Sequence, residues 1–335
     1  MSQSPSSTLH LDPRQTAPSQ IAPRQRLTPA DARRRTVRVK ATRLALLVGA
    51  AASIAALAGT VGLRLLQPTT KFNQAVIQGE SLVLDSPRFI GQTKSGDKVI
   101  VTAQKATRIL SDDNAPVKLE QPVLETGDGS KARGKTGTWS QTTQTMTLAG
   151  GVVLLHRSGD EATATSAIYA AGPGQLTLSD QVVLTQATGD TVTGNRAIWS
   201  KSPEVLTVEG AVTITRKGGQ TARATRAVWQ AALGLLELSG GVELQLQSGE
   251  RATAQTAQLD EKSGDLTLEG DVVVQFKSGQ ARSARARFTR QTGVLVGDGG
   301  VQFNSDMGSG NADSYVYETR TKRLNMRGNA RVTRN

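Results

Sequence analysis

A sequence pattern that recurs every 30 residues limits this chain to a repetitive fold. The heptapeptides MTLAGGV, LTLSDQV, LTVEGAV, LELSGGV and LTLEGDV follow one another at that spacing. Their last residues are Val152, Val182, Val212, Val242 and Val272. Two degenerate copies, ending at Val301 and Ala330, each follow after 29 residues. A period of this length predicts a stack of similar structural units, each of which buries its apolar face against its neighbours.

Two other rows of residues keep nearly the same period. The first is mostly aromatic and consists of Trp139, Tyr169, Trp199, Trp229, Leu259, Phe288 and Tyr317. The second consists of Gly129, Gly159, Gly189, Gly219, Gly249 and Gly279. Three rows in step exclude a chance repeat. We interpret the aromatic row as core or turn packing, with direct contact to a ligand as the alternative.

Each repeat divides into two candidate β-strands. In the run LELSGGVELQL the apolar residues Leu236, Leu238 and Val242 share one parity, while polar residues occupy the other. Alternation with a period of two predicts a strand with one apolar and one wet face. The mid-strand glycine at this site marks a bend, a bulge or a close approach. The preceding strand, TARATRAVW, changes parity in its middle, which also indicates a bulge.

These signals predict an all-β fold for residues 129–335, an elongated β-jellyroll or solenoid-like array of two-strand repeats. If each repeat adds one strand to each of two facing walls, seven repeats give a trough roughly 35 Å long. Both ends of such an array are open sheet edges. The inward-facing candidates for an apolar groove are Leu148, Val152, Leu176, Leu178, Val182, Leu206, Val208, Val212, Leu236, Leu238, Val242, Leu266, Leu268, Val272, Val274 and Phe276.

The first 66 residues have a different composition. Residues 1–43 contain nine basic and two acidic residues, which is more than half of the chain's net charge of +12. This segment has few large apolar residues, so we predict a disordered cytoplasmic tail and no nucleic-acid partner. The basic run Arg33–Arg35 is interpreted as a topology signal, with a nucleic-acid or anionic-lipid contact as the alternative.

A membrane anchor is predicted at residues 44–66. Leu44–Leu63 contains no charged residue and, as a helix, would be about 30 Å long, which matches the hydrocarbon core of a bilayer. The basic residues before it place the N-terminus in the cytoplasm and the rest of the chain across the membrane. A cleaved signal peptide, with Ala56-Leu57-Ala58 as its processing site, is the alternative.

The composition excludes several kinds of chemistry. The chain has no Cys and only two His, so disulfides, thiolate-ligated metals, thiol nucleophiles and multi-histidine centres are excluded. No catalytic motif is present, and Asp112 and Asp113 lie in a polar stretch typical of a solvated turn. His156 follows an apolar strand and is predicted to be a surface residue at the strand end. We therefore predict no enzyme activity, no metal and no cofactor.

The segment before the repeats resembles a known family. It contains SPRFIG at 86–91, SGD at 95–97, VIVTAQKATR at 99–108 and VKLEQPVLETGDGS at 117–130. Together with the repeats this resembles LptC, the periplasmic component of lipopolysaccharide export, over roughly residues 44–335. The positions that fit the family motif are Pro87, Phe89, Gly96, Ala103, Ala106, Pro122 and Gly129. The later repeats are of a type shared by LptC, LptA and the N-terminal domain of the outer-membrane translocon.

The resemblance implies a membrane-anchored lipid-transfer protein. Its β-jellyroll would shield the lipid A acyl chains of lipopolysaccharide in the periplasm, below a single-pass inner-membrane anchor. LptC-like strands over 72–128 would face the inner-membrane ABC transporter. The C-terminal edge would pair strand to strand with an LptA-type bridge protein. Candidate residues for that edge are Tyr315, Tyr317, Leu324, Met326 and Val332.

Two alternatives remain open from the sequence. The exported part is far longer than a typical LptC domain, so the chain is alternatively an LptA-like bridge or a fusion of LptC and LptA. A β-solenoid that acts as an envelope scaffold and binds no lipid is an alternative of another class. The lipid-transfer hypothesis predicts a continuous dry trough, whereas the scaffold hypothesis predicts a filled core.

Overall fold

A computed structural model describes residues 71, 73–92, 98–170, 172–246, 249–277, 279–306 and 308–334. Within these ranges no residue is helical, so no helix long and apolar enough to cross a membrane is found there. The predicted tail (1–43) and anchor (44–66) lie outside the described residues. The prediction of an all-β fold is confirmed for the part of the chain that the structure describes.

The described residues form one antiparallel sheet of 23 strands. The first nine strands are short: β1 (Gln74–Gln78), β2 (Ser81–Asp85), β3 (Arg88–Gln92), β4 (Lys98–Thr102), β5 (Lys105–Ile109), β6 (Val117–Glu120), β7 (Val123–Thr126), β8 (Lys131–Arg133) and β9 (Thr136–Ser140). Twelve long strands follow: β10 (Thr145–Leu155), β11 (Glu161–Ala170), β12 (Gln175–Thr185), β13 (Thr191–Lys201), β14 (Glu204–Thr215), β15 (Thr221–Gln230), β16 (Leu235–Gln245), β17 (Arg251–Asp260), β18 (Leu266–Phe276), β19 (Gly279–Thr289), β20 (Val294–Ser305) and β21 (Gly308–Glu318). The last two are short again: β22 (Arg323–Arg327) and β23 (Arg331–Arg334).

The long strands form a simple meander in which each pairs with the next along the chain. Every 30-residue repeat supplies two of them, as the sequence predicts. The short strands continue the same arrangement in two separate rows. One row runs β1-β2-β5-β6-β9 and joins the first half of β10; the other runs β3-β4-β7-β8 and joins its second half. The leading segment is therefore built like the repeats, with each long strand divided into two.

A kink divides every second long strand. In β16 it consists of Gly240 and Gly241, with φ angles of 84° and 80°, between Ser239 and Val242. These two residues lie opposite a single residue of the neighbouring strand, so the predicted bulge is confirmed and its extra residue lies on the glycine-bearing strand. Only glycine fits well at the first position, where a Cβ atom would come within 2.6 Å of the Thr225 Cβ atom.

The kinks fold the sheet into two facing walls. We call them the tryptophan wall, which contains Trp139, Trp199 and Trp229, and the valine wall, which contains the valines that end the sequence repeat. Phe276 on β18 and Tyr317 on β21 have ring centroids only 4.3 Å apart. Their strands would be about 14 Å apart in a flat sheet, so the rings meet across the two walls. Each strand contributes one half to each wall, so the expectation of one whole strand per wall is wrong.

The turns at the end of the valine wall explain the glycine row from Gly129 to Gly249. In the turn after β10 the amide of Gly159 donates to the His156 carbonyl at 2.9 Å, and Gly159 has a φ angle of 90°. This three-residue loop requires a left-handed residue at its last position, which glycine supplies. After β18 the loop has only two residues, because Phe276 pairs directly with Gly279. The loss of one residue accounts for the change in spacing from 30 to 29.

The core alternates large and small residues between neighbouring strands. Leu238 on β16 lies opposite Ala227 on one side and Ala257 on the other. In the last repeat the order is reversed, because Gly297 lies opposite the fully buried Tyr315. A Cβ atom on Gly297 would lie 2.0 Å from the Tyr315 ring. Close packing thus fixes the sum of the two volumes rather than either residue.

Candidate functional site

The sixteen groove candidates all belong to the hydrophobic core between the walls. Thirteen are buried, and Leu206, Leu266 and Phe276 are partly buried against the same cluster. The valine row is the most closed, since Val152, Val212 and Val272 are exposed by at most 1%. The walls are therefore packed against each other along this row. Whether they separate to receive acyl chains remains a prediction.

The two walls approach each other along a line that we call the mouth, where the turns of the tryptophan wall face those of the valine wall. In its N-terminal half the residues along this line, such as Tyr169, Trp199 and Leu184, are buried. In its C-terminal half Val274, Leu295 and Tyr317 are also buried, but more of the apolar residues along the line are only partly buried. The partly buried ones are Ile214, Leu244, Leu259, Leu266, Phe288 and Phe303. The mouth is thus sealed at one half and looser at the other.

Charged groups cross the mouth in its C-terminal half. Lys322, in the turn between β21 and β22, forms an ion pair with Glu250, in the turn between β16 and β17. Its hydrogen bond to Glu250 raises the pKa of Lys322. A second crossing involves Glu261, which accepts a hydrogen bond from Trp229 Nε1 at 2.9 Å and is attracted by Arg216 on the other wall. Burial raises the pKa of Glu261, against the opposing effects of Trp229 and Arg216.

The interactions across the mouth are all offset in the same direction along the array. Phe276 meets Tyr317 three strands further on, Arg216 acts on Glu261 three strands further on, and Glu250 meets Lys322 five strands further on. The right-handed twist of β-sheets makes such an offset the expected geometry for two facing walls. A segment of the tryptophan wall therefore faces an earlier segment of the valine wall.

The offset leaves the inner face uncovered at both ends of the array. At the N-terminal end the tryptophan wall has no described valine-wall segment opposite it, and Ile77 is 68% exposed while Leu82 and Leu84 are partly exposed. At the C-terminal end Val332 on the valine wall is 69% exposed. Among the described residues β1 pairs only with β2, and β22 and β23 pair only with β21. Both ends thus present open edges and apolar side chains.

The five edge candidates fall on two different positions. Leu324 and Met326 lie on β22 and Val332 on β23, the terminal strands. Tyr315 and Tyr317 lie on β21, which pairs on both sides, and both are buried. Burial raises the pKa of Tyr315 to about 12, and the neighbouring Ser283 lowers it by less. These two tyrosines belong to the core of the last repeat rather than to the edge strand.

The family-motif residues lie where the leading strands bend or pack. Pro87 and Pro122 each follow a left-handed residue, Ser86 (φ 51°) and Gln121 (φ 49°), at the places that correspond to the glycine kinks of the repeats. Both prolines are buried, as are Phe89, Ala103 and Ala106. Gly129 lies in a valine-wall turn, and Gly96 lies outside the described residues. The motif residues thus occupy the kinks, the core and the turns of leading strands that are built like those of the repeats.

His156 is buried, so the prediction of a surface residue is wrong. Its Nδ1 lies 2.6 Å from Ser158 Oγ, and that hydroxyl donates to Asp160 Oδ2 at 2.5 Å. Asp160 Oδ1 in turn accepts the amide of Ala187 at 2.9 Å, which belongs to the next turn along the wall. The group therefore links consecutive turns. The recurrence of SGD and TGD at the repeat spacing was the available signal.

The same linkage extends along the wall in both directions. Ser130 Oγ accepts the amide of Arg157 at 3.3 Å, and Asp190 Oδ1 accepts the amide of Lys217 at 2.9 Å. Elsewhere Asp112 and Asp113 are exposed in a turn, as predicted. Within the described ranges no cluster of three or more potential metal ligands was found. The geometry of the described residues thus offers an apolar interior and open edges.

The C-terminal part of the chain is similar to a lipopolysaccharide-transport family. Residues 251–335, from the start of β17 onwards, match the family described as LptA/(LptD N-terminal domain) LPS transport protein. No curated protein matches the chain. A solved structure of the microcephaly protein CPAP G-box domain is 10% identical with a TM-score of 0.17, and the match covers 61% of this chain and 95% of that chain. A likeness of that degree supports no argument.

Proposed function

We propose that this protein transfers lipopolysaccharide across the periplasm, holding the acyl chains of lipid A between its two walls. The match of residues 251–335 to the LptA and LptD N-terminal domains is the observation that supports this most directly. The continuous apolar core between the walls supplies a matching surface for acyl chains. Transfer of this kind breaks no covalent bond and requires no cofactor.

The finer assignment is to an LptC-like protein extended by LptA-like repeats. The leading strands resemble LptC, whereas the family match covers only the later repeats. In this proposal residues 44–66 anchor the chain in the inner membrane, and the leading strands receive lipid from an ABC transporter. The strands β22 and β23 then add a strand of an LptA-type partner, because their free backbone groups and the exposed Val332 are available for pairing.

One observation favours a second candidate, a scaffold that binds no lipid. The valine row is closed, with Val272 fully buried, so the core is filled in this structure. A filled core is what a purely structural array needs. The two candidates therefore differ in a single physical property, namely whether the walls separate around an acyl chain.

Site-specific photo-crosslinking tests the proposal. A photoreactive residue at Leu238 or Val272 faces the interior, whereas the same residue at Glu237 or Val273 faces outward on the same strands. We expect lipopolysaccharide adducts at both interior positions and at least tenfold fewer at both outward controls. If the interior positions form no more adduct than their controls, lipid transfer is rejected and the scaffold remains.

A further inference from the structure

The Glu250–Lys322 ion pair joins the tips of the two walls directly across the mouth. Glu250 lies at the end of a valine-wall turn with its side chain 13% exposed, and Lys322 lies in a tryptophan-wall turn with its side chain 55% exposed. The residues are 72 positions apart in the sequence. The pair thus closes a ring formed by the strands between β16 and β22, which otherwise open towards solvent along the mouth.

The chemistry of a lipid requires this line to open. Acyl chains are stable in the apolar interior, but a sugar or phosphate headgroup has no hydrogen-bond partners among the leucines and valines there. The headgroup must therefore project through the mouth while the chains lie inside. Any contact that bridges the tips stands in the path of the headgroup.

We infer that Glu250 and Lys322 form a latch that opens to let the headgroup of a bound lipid emerge through the C-terminal half of the mouth. This inference rests on the proposed lipid-transfer function. Beside the latch, Leu244 on the valine wall and Leu324 on the tryptophan wall are only partly buried, although Tyr317 next to Leu324 is buried. By contrast, Trp199 in the sealed half is 2% exposed. The looser half therefore loses less apolar contact when the walls separate.

The charges at the latch favour an anionic headgroup. An ion pair with one exposed partner exchanges readily with other charged groups. A phosphate on the lipid can replace Glu250 as the partner of Lys322 through charge-assisted hydrogen bonds. The electrostatic attraction between Arg216 and Glu261 also acts across the mouth, and the same movement weakens it.

A reversible covalent bridge tests the latch. The chain has no Cys, so the variant Glu250→Cys/Lys322→Cys in the full protein can be bridged by a short reagent that reacts with two thiols and is released by reductant. The matched control is Arg223→Cys/Glu243→Cys, which replaces an ion pair between neighbouring strands of one wall. Uptake is read as lipopolysaccharide adducts of a photoreactive residue at Leu238.

We expect the mouth bridge to lower adduct formation at least tenfold, reductant to restore it, and the control bridge to change it less than twofold. Equal adduct formation with and without the mouth bridge would overturn the latch and leave lipid transfer intact. If the unbridged protein forms no adduct at Leu238, lipid transfer itself fails and the latch fails with it.

Charge reversal provides a second measurement without a covalent bridge. Lys322→Glu places two acids together and should increase the initial rate of adduct formation by twofold or more. The double reversal Glu250→Lys/Lys322→Glu restores an ion pair and should return the rate to that of the native protein. An unchanged rate in the single variant, or no recovery in the double variant, counts against the latch.

Discussion

The two halves of the mouth use the same fold and nearly the same repeat, yet they close differently. In the N-terminal half Trp139, Tyr169 and Trp199 are buried against the opposite wall. In the C-terminal half Leu259 and Phe288 occupy the same row and are only partly buried. There the contacts across the mouth include charged turn residues. The side chain in this row therefore affects how closely the mouth is packed, although at Tyr317 a buried ring lies beside the charged crossing of Lys322.

This difference separates what the backbone determines from what the side chains determine. The kinks and turns recur in both halves, because they depend on left-handed residues at fixed positions. The quality of the seal depends on ring volume at the aromatic row. A long β array can therefore keep a uniform frame while its local resistance to opening changes from repeat to repeat.

The largest expected effect is the loss of a ring from the sealed half. We expect Trp199→Ala to lower the free energy of unfolding by about 3–5 kcal/mol, because it leaves a cavity in close-packed surroundings. Leu259→Ala at the equivalent position of the looser half should cost only about 1–2 kcal/mol, because less apolar area is removed from contact. Chemical unfolding followed by circular dichroism measures both. Equal losses would remove the distinction between the halves.

The second largest expected effect on stability concerns Gly297 and Tyr315, the pair in the last repeat in which the small and large residues have exchanged strands. Gly297→Leu should cost about 2–3 kcal/mol, because the new side chain collides with the Tyr315 ring. Adding Tyr315→Ala recreates the arrangement of Leu238 and Ala257 and should recover most of that loss. The control Gly297→Leu/Tyr317→Ala removes a ring that faces Leu295 instead and should recover none. Recovery in the control would show that general loosening, rather than the pair itself, relieves the collision.

The sequence period predicted the features that depend only on residues within one repeat, namely its buried face and its bulge. The alternation around Leu238 identified the buried face, and the parity change near Ala224 identified the bulge. Pro87 and Pro122 were recognised only through the family motif, although they occupy the same kink as the glycines. Proline after a left-handed residue and a glycine pair bend the strand at the same place, but they share no residue pattern that a period search detects.

Features that depend on the relation between the walls could not be predicted from the repeat. The contacts of Glu250 with Lys322 and of Phe276 with Tyr317 join residues whose separation reflects the accumulated twist of several strands. The surroundings of His156 likewise follow from hydrogen bonds within its own turn, to Ser158, and from the link that Asp160 makes to the next turn. The repeat spacing in the sequence determines the two-strand unit, whereas the twist of the sheet determines which units face each other across the two walls.

The smallest expected effect concerns Glu261, which accepts a hydrogen bond from Trp229 and is attracted by Arg216. Burial raises the pKa of Glu261 above its ordinary value of 4.5, so between 4.5 and the raised value the folded state binds more protons than the unfolded state. Stability therefore falls as the pH rises through that window. We expect Glu261→Gln, which keeps an acceptor for Trp229, to gain stability relative to the native protein between pH 4 and pH 7, by less than about 1 kcal/mol.

Unfolding in denaturant at pH 4, 5.5 and 7 measures this difference, with the exposed Glu243→Gln as the control. If the difference in free energy of unfolding between Glu261→Gln and the native protein does not change with pH, or if the variant becomes the less stable of the two as the pH rises, attraction to Arg216 outweighs the effect of burial on Glu261. In that case the attraction between Arg216 and Glu261 also resists opening, and charge holds the looser half together at two places rather than one.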